Sequence, residues 1–305
     1  MGPESVKLED LVNMDNPQAV FSEVGLIVRV MFPNGDYSPL LKVCLDIRSL
    51  FEGNYPGYRK CNIHYHDLKH TTDCLMAMAR LIHGARLAGL RLTEKQAVLG
   101  LVSSLLHDTG YIQAAKETKG TGAQYTLTHV ERSIFFADRY LRENGYSSKD
   151  ARFCHRCLRC TGLDVKIAEI PFESMEHEFL GKALGSADLL GQMADRTYLE
   201  RLPLLFHEFR EGGVPGFADE LDLIKKTPEF WEFTKNRFRT QLGGVDRYMI
   251  NHFKSRWGVD RDCYKEAIEN NMRYLMHVIE HHESDYWAHL RRGNRAKSMA
   301  RIEDG

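Results

Sequence analysis

Apolar residues recur at three- and four-residue spacing through most of this chain. That is the period of an amphipathic helix. The spacing predicts helices over 39–51, 67–88, 93–107, 128–144, 149–161, 174–195, 201–210, 228–241 and 261–290. Alternation of period two is nearly absent, so few strands are expected. Thr93 to Gln96 reads TEKQ, a capping box that opens one helix, and Asn144-Gly145 closes another. Loops are expected at 53–62, 110–125 and 211–215. No internal repeat, low-complexity run or Pro/Ser-rich linker interrupts the pattern. The expected architecture is one all-α domain over 1–305, with its core at about 60–200 and a helical extension over 201–305 packed on it.

One stretch breaks the amphipathic rule. Residues 97–106 read AVLGLVSSLL, without a charge, and end on the doublet His107-Asp108. A helix apolar all round is buried. A buried carboxylate needs a counter-charge or a metal ion, and the negative end of a helix dipole sharpens that need. Three other segments supply partners. In CNIHYHDLKHTTDC, residues 61–74, the residues His66, His70 and Asp73 stand at i, i+4 and i+7, one face of a helix. His129 opens a helix expected to turn Ile134, Phe135 and Leu141 inward. Asp188 lies in GKALGSADLLGQM, a lone acid between apolar neighbours. One metal held by His70, His107, Asp108 and Asp188 explains these misplaced charges together. Mixed imidazole and carboxylate ligation suits Zn, Fe, Mn, Co or Ni rather than an all-oxygen Ca site. Such a metal makes hydroxide available near neutral pH, a nucleophile for phosphorus. His66 is placed to protonate a leaving oxygen; His64 is the rival, outside the register with His70.

Charge and composition narrow the partners. The 305 residues carry 41 basic and 42 acidic side chains, net -1, so nothing draws the chain as a whole to nucleic acid or anionic lipid. No apolar run reaches the roughly 18 residues of a membrane span. MGPESVKLED has neither the basic start nor the apolar core of a secretory signal, and Val6 breaks the myristoylation pattern after Gly2. An odd seven cysteines fits a reducing, cytoplasmic setting. Cys154, Cys157 and Cys160 overlap as Cys-x-x-Cys, yet on a helix this spacing equally suits thiols packed as small hydrophobes. His277, His281 and His282 form a second histidine group in a segment that reads as helix surface. The basic tail over 290–301 reads as a solvated terminus. Lys69, Lys116, Lys119 and Arg132 lie near the candidate ligands in sequence and are the cations a phosphate would need. Gln192, four residues after Asp188, faces either the same site or solvent.

The order His70, His107-Asp108, Asp188 resembles the HD-domain metal-dependent phosphohydrolase superfamily. The first segment is similar to its cyclic-nucleotide phosphodiesterase branch, whose Tyr-His-Asn-x-x-His-x-x-Asp-like stretch matches Tyr65-His66-Asp67-Leu68-Lys69-His70-Thr71-Thr72-Asp73 here. The resemblance spans about 130 residues. It implies an HD-type helical bundle, His66 as general acid, His70 as a ligand, Asp73 supporting the ligands from behind, and Asp108 bridging two metals where two bind. In other HD branches later histidines hold the second metal, a role that falls to His129 and His155. The implied cofactor is one or two divalent ions among Fe, Mn, Zn, Co, Ni or Mg. The implied substrate is a small phosphodiester or phosphomonoester of a nucleotide; by their nearness in sequence to the candidate ligands, Lys69 and Arg132 are the expected phosphate contacts. Di-iron oxygenation and non-catalytic sensing of metal and nucleotide are the two alternatives. Two positions depart from the pattern. Tyr111 stands where the phosphodiesterase branch has a second His, and the Gly-Tyr-Pro of the cyclic-dinucleotide branch is absent after His129.

Overall fold

The computed structural model describes residues 6–290. Thirteen α-helices run in the order α1 (Leu8–Leu11), α2 (Pro17–Met31), α3 (Ser38–Glu52), α4 (Leu68–Leu87), α5 (Glu94–Leu106), α6 (His129–Glu143) and α7 (Ser148–Arg159). They continue as α8 (Met175–Ala194), α9 (Tyr198–Glu211), α10 (Glu220–Thr240), α11 (Met249–Trp257), α12 (Cys263–His281) and α13 (Tyr286–Leu290). No strand occurs among the described residues; one isolated antiparallel bridge joins Tyr58 to Ala114. The fold is an all-α helical bundle, and none of these helices is long and apolar enough to cross a membrane.

The bundle is built around α4. Every residue from His70 to Ala85 is buried, because α2, α5, α8 and α11 all pack against this helix. Leu75, Met76, Met78, Leu81 and Ile82 are sealed within it. Truncating one of them to Ala would cost ~2–5 kcal/mol. Close approach to α11 depends on Gly84, where a Cβ would run into the Tyr248 carbonyl. The helix begins where it does because the Asp67 carboxylate caps it, accepting from the His70 N–H at 3.0 Å. The TEKQ capping box closes as expected, with the Gln96 N–H donating to Thr93 Oγ1 at 3.2 Å.

Several elements differ from the periodicity reading. Helices α2 and α11 were outside the expected set, although Asn16 caps α2 and Pro17 opens it. Pro228 does not start a helix. Asp219 caps α10, and the helix runs through Pro228 while burying Leu223, Ile224, Thr227 and Trp231. The backbone bond lost at proline, worth roughly 3 kcal/mol, is offset by that burial. The expected helix over 261–290 breaks after His281. The break lets Tyr286 Oη and Trp287 Nε1 each donate to Glu220 on α10 at 3.1 Å. Phe135 points outward at 72 % exposure, not into the core. Past residue 200, Met249, His252 and Phe253 are fully buried where α11 meets α4. Apart from Leu290, the basic tail lies outside the described residues, as do residues 1–5.

Candidate metal centre

Three elements bring the charged residues of the apolar segments to one point. The first turn of α4 carries His70. The end of α5 delivers His107 at its cap and Asp108 just after it, and α8 supplies Asp188. His70 Nε2 lies 3.1 Å from Asp108 Oδ2 and 3.2 Å from Asp188 Oδ1. His107 Nε2 lies 3.2 Å and 3.7 Å from the same two oxygens. The two Nε2 atoms are 3.2 Å apart. Donor atoms of His70, His107 and Asp108 all fall within 4.8 Å of one another. Donors spaced this way would accommodate an ion with ligand bonds of ~2.0–2.2 Å.

Polar accounting favours an ion over a closed hydrogen-bond network. Asp108 Oδ2 and His70 Nδ1 are sealed from solvent, and neither has a hydrogen-bond partner of acceptable geometry. Buried polar atoms normally find one. The His107 ring is oriented from behind: its Nδ1 faces the Ser104 carbonyl at 2.8 Å. A carbonyl only accepts, so Nδ1 carries a proton, and Nε2 is left facing Asp108, where it would either hold a second proton or offer a lone pair to an ion between them. Without a metal the cluster must hold protons. Burial opposes charge on His70, but Asp108 and Asp188 outweigh it and push the imidazole up to about 10. Burial would raise Asp108, but His107 and His70 outweigh it and hold the carboxyl well below the usual range. Asp188 is lowered against its burial in the same way. A divalent cation is the natural replacement for those protons.

His129 reaches the other side of Asp108. Its Nε2 lies 3.8 Å from Asp108 Oδ1, while its Nδ1 faces the Thr126 carbonyl at 2.6 Å. Gly110 permits this, since a Cβ there would collide with the His129 carbonyl. Asp108 thus offers one oxygen to His70 and His107 and the other to His129. His155 does not join. It lies on α7 and faces Asp138 at 3.4 Å, because the buried face of α7 is taken by Phe153, Cys154 and Cys157.

His66 is close to the centre but not on α4. The Asp67 cap starts the helix after it, so the i, i+4 register with His70 does not exist. Its ring is held by Glu208 of α9, with Nδ1 2.6 Å from Oε2. Glu208 Oε1 also accepts from the backbone N–H of His64 and Tyr65 at 2.9 and 2.6 Å. Two turns earlier on the same helix, Arg201 donates to the carbonyls of His64 and Tyr65 and to Asp67. The loop before α4 is therefore clamped at its amides and its carbonyls by one face of α9. Tyr111 lies between two imidazoles, stacked on His66 with centroids 4.5 Å apart and on His129 at 4.6 Å. Sequence reasoning missed Glu208 and Arg201, and marked Tyr111 only as a departure from the phosphodiesterase pattern. A charged pair seven residues apart on the buried face of α9 was the available clue to the first two.

Other candidates are engaged elsewhere. Lys69 is partly buried and held between Asp73 at 2.7 Å and Asp195 at 3.0 Å, so it is not free for phosphate. Asp73 pairs with Lys69 rather than with a candidate ligand, and burial pushes its carboxyl up to about 7. Arg132 grips Glu117 through both terminal nitrogens, at 3.0 and 2.9 Å, and the Gly110 carbonyl at 2.8 Å, bracing the loop after the doublet. Gln192 donates toward Asp188 at 3.5 Å and accepts from Tyr65 Oη at 2.9 Å. Cys154, Cys157 and Cys160 are buried and unpaired, with thiols raised by that burial, as packed hydrophobes are. His282 groups with Asp285 and His289 at the surface, while His277 and His281 pack ring to ring at 4.8 Å.

A family model described as Npun_R2479-like matches residues 114–242. The matched stretch contains His129, Asp188, Arg201 and Glu208; His66, His70, His107 and Asp108 precede it. No curated protein and no solved structure matches the chain.

Proposed function

We propose that this protein is a metal-dependent phosphohydrolase of the HD type, acting on a small phosphodiester or phosphomonoester of a nucleotide. The observation that carries the reading is the convergence of His70, His107 and Asp108 on one buried point, with Asp188 beside it. These residues would hold the metal, and imidazole with carboxylate suits Zn, Fe, Mn, Co or Ni better than Mg. When bound, a divalent metal lowers the pKa of coordinated water and polarises the phosphoryl oxygens.

The remaining chemistry belongs to the chain. Glu208 accepts the Nδ1 proton of His66, which leaves Nε2 to carry the proton that is given away. As the new P–O bond forms, the bond to the leaving oxygen breaks and the Nε2 proton passes to that oxygen. Glu208 stabilises the imidazolium before transfer and fixes its orientation, the part a carboxylate plays behind a catalytic histidine. Tyr111 limits rotation of the His66 ring by stacking on it.

The test is elemental analysis of purified protein joined to a phosphoester screen, with wild type and Asp108→Ala compared. Wild type should retain a transition metal and hydrolyse at least one phosphoester, and the variant should do neither. Full metal content and full turnover in the variant would refute the reading.

A second reading keeps the centre and changes the reaction. His129 at the far oxygen of Asp108 suits a second metal, and two irons would permit oxygen-dependent cleavage. Iron-rich, coloured protein that consumes oxygen and spares phosphoesters would favour it. Full occupancy by metal and nucleotide without any turnover would instead favour a sensor.

A further inference from the structure

A large cavity lies away from the metal centre. It measures about 1020 Å³ and lies under the N-terminal segment over 6–15, against α4, the end of α8 and the start of α12. Its roof is tied on by polar links: Arg261 donates to the Val6 carbonyl at 2.6 Å, and Arg196 pairs with Glu9 at 3.3 Å. Helix α1 in that roof buries no residue.

The cations of the lining are matched with one exception. Lys69 has Asp73 and Asp195, Arg196 has Glu9, and Arg261 has Glu266. Arg80 of α4 has no carboxylate partner among the described residues. It is 1 % exposed. Its one hydrogen bond runs from Nη1 to Tyr264 Oη at 3.0 Å, and its Nε has no partner. The guanidinium stands 5.4 Å from the ring centroids of both Phe253 and Tyr264, which fixes its plane. A buried charge without a counter-charge is unfavourable. A rigid guanidinium with free donors at a cavity wall is the arrangement that recognises planar or tetrahedral oxyanions.

We propose that this cavity is a binding site for a small anionic ligand, held by Arg80 through a carboxylate or phosphate group and covered by the N-terminal segment. The site is separate from the metal centre and does not rest on the phosphohydrolase reading. The two-ring clamp on Arg80 lets the chain keep an unpaired cation buried until the anion arrives.

Calorimetric titration of the full chain with inorganic phosphate and with succinate tests this, before and after chelation of metal. Saturable binding of either probe that survives chelation is expected, and which probe binds identifies the anion. Phosphate binding that disappears with the metal belongs to the metal centre and would overturn the proposal. So would the absence of saturable binding of both probes. Arg80→Met should weaken binding at least tenfold without lowering the melting temperature of the ligand-free protein, because an unpaired charge is removed. Ala267→Trp, which fills the cavity and leaves Arg80 in place, covers the case in which Arg80→Met does not fold, and should abolish binding. Unchanged affinity in both variants would overturn the proposal.

Discussion

Lys69 and His70 are neighbours in sequence on α4, yet they belong to opposite kinds of buried charge cluster. Lys69 sits in a matched one. Its ammonium has Asp73 and Asp195, and Arg201 has Asp67 and, at 3.7 Å, Asp195. The attraction keeps Asp195 below its ordinary range against burial and Lys69 above its own. His70 sits in an unmatched one, where two carboxylates meet imidazoles and the Gln192 amide but no lysine or arginine, and where Asp108 Oδ2 and His70 Nδ1 lack hydrogen-bond partners. In the first cluster each cation is answered by carboxylates of the chain, although Asp73 Oδ1 keeps no hydrogen-bond partner. The second is the cluster whose donors could hold a metal ion. The difference separates a structural charge network from a site, and it is read from partners rather than from residue types.

The sharpest way to break this contrast is at Asp108. Asp108→Ala should abolish metal retention and phosphoester turnover together, while the folded helical spectrum survives. Metal analysis, turnover and circular dichroism on one preparation decide it.

Next come the residues that move the proton. Glu208→Gln and His66→Ala should both keep the metal and lose ~10²–10⁴-fold in rate. Poor leaving groups should suffer more than good ones. Equal losses across a leaving-group series would mean that His66 positions substrate rather than donating a proton.

The matched cluster should respond in the opposite currency. Asp195→Ala leaves Lys69 and Arg201 short of a partner, so about 3–5 kcal/mol of stability should be lost in urea unfolding. Metal content should hold. A variant that loses metal but not stability would show that the two clusters are one.

The smallest effect concerns a third buried group on α4, which carries no charge. His83 Nδ1 and His252 Nδ1 lie 3.0 Å apart. Burial pushes His252 down to about 2 and lowers His83 as well. A lowered folded-state pKa means the unfolded chain takes up the proton first. The neutral pair is therefore fully tolerated above the ordinary histidine pKa of ~6.5. Stability then falls as pH drops below that, by up to ~1.4 kcal/mol per pH unit for His252. Between pH 7.5 and 5.0 the wild type should lose about 2 kcal/mol more than His252→Leu. Parallel urea midpoints for the two proteins would remove the argument.

Much of the fold was legible because caps and apolar spacing are local. The TEKQ box, the end of α5 and the burial of residues 97–106 follow from neighbours in the chain. So did the suspicion about Asp108 and Asp188, since a carboxylate inside an apolar helix is anomalous wherever that helix packs. Less legible was anything set between distant segments. His66 looked like a helical neighbour of His70, but Asp67 prefers to cap. Lys69 and Arg132 looked available to phosphate until Asp195 and Glu117 met them. Glu208, some 140 residues after His66, is ordinary as sequence and becomes notable only as a hydrogen-bond partner.

By itself, then, the sequence determined the all-α class, most helix ends, and which charged residues had to be explained. Those depend on backbone hydrogen bonding and apolar periodicity, which act over a few residues. Only the tertiary structure decided which charges are answered from within and which are left open. That depends on helices α4, α5, α8 and α9 bringing side chains to within about 3 Å of each other, a distance that no spacing along the chain encodes.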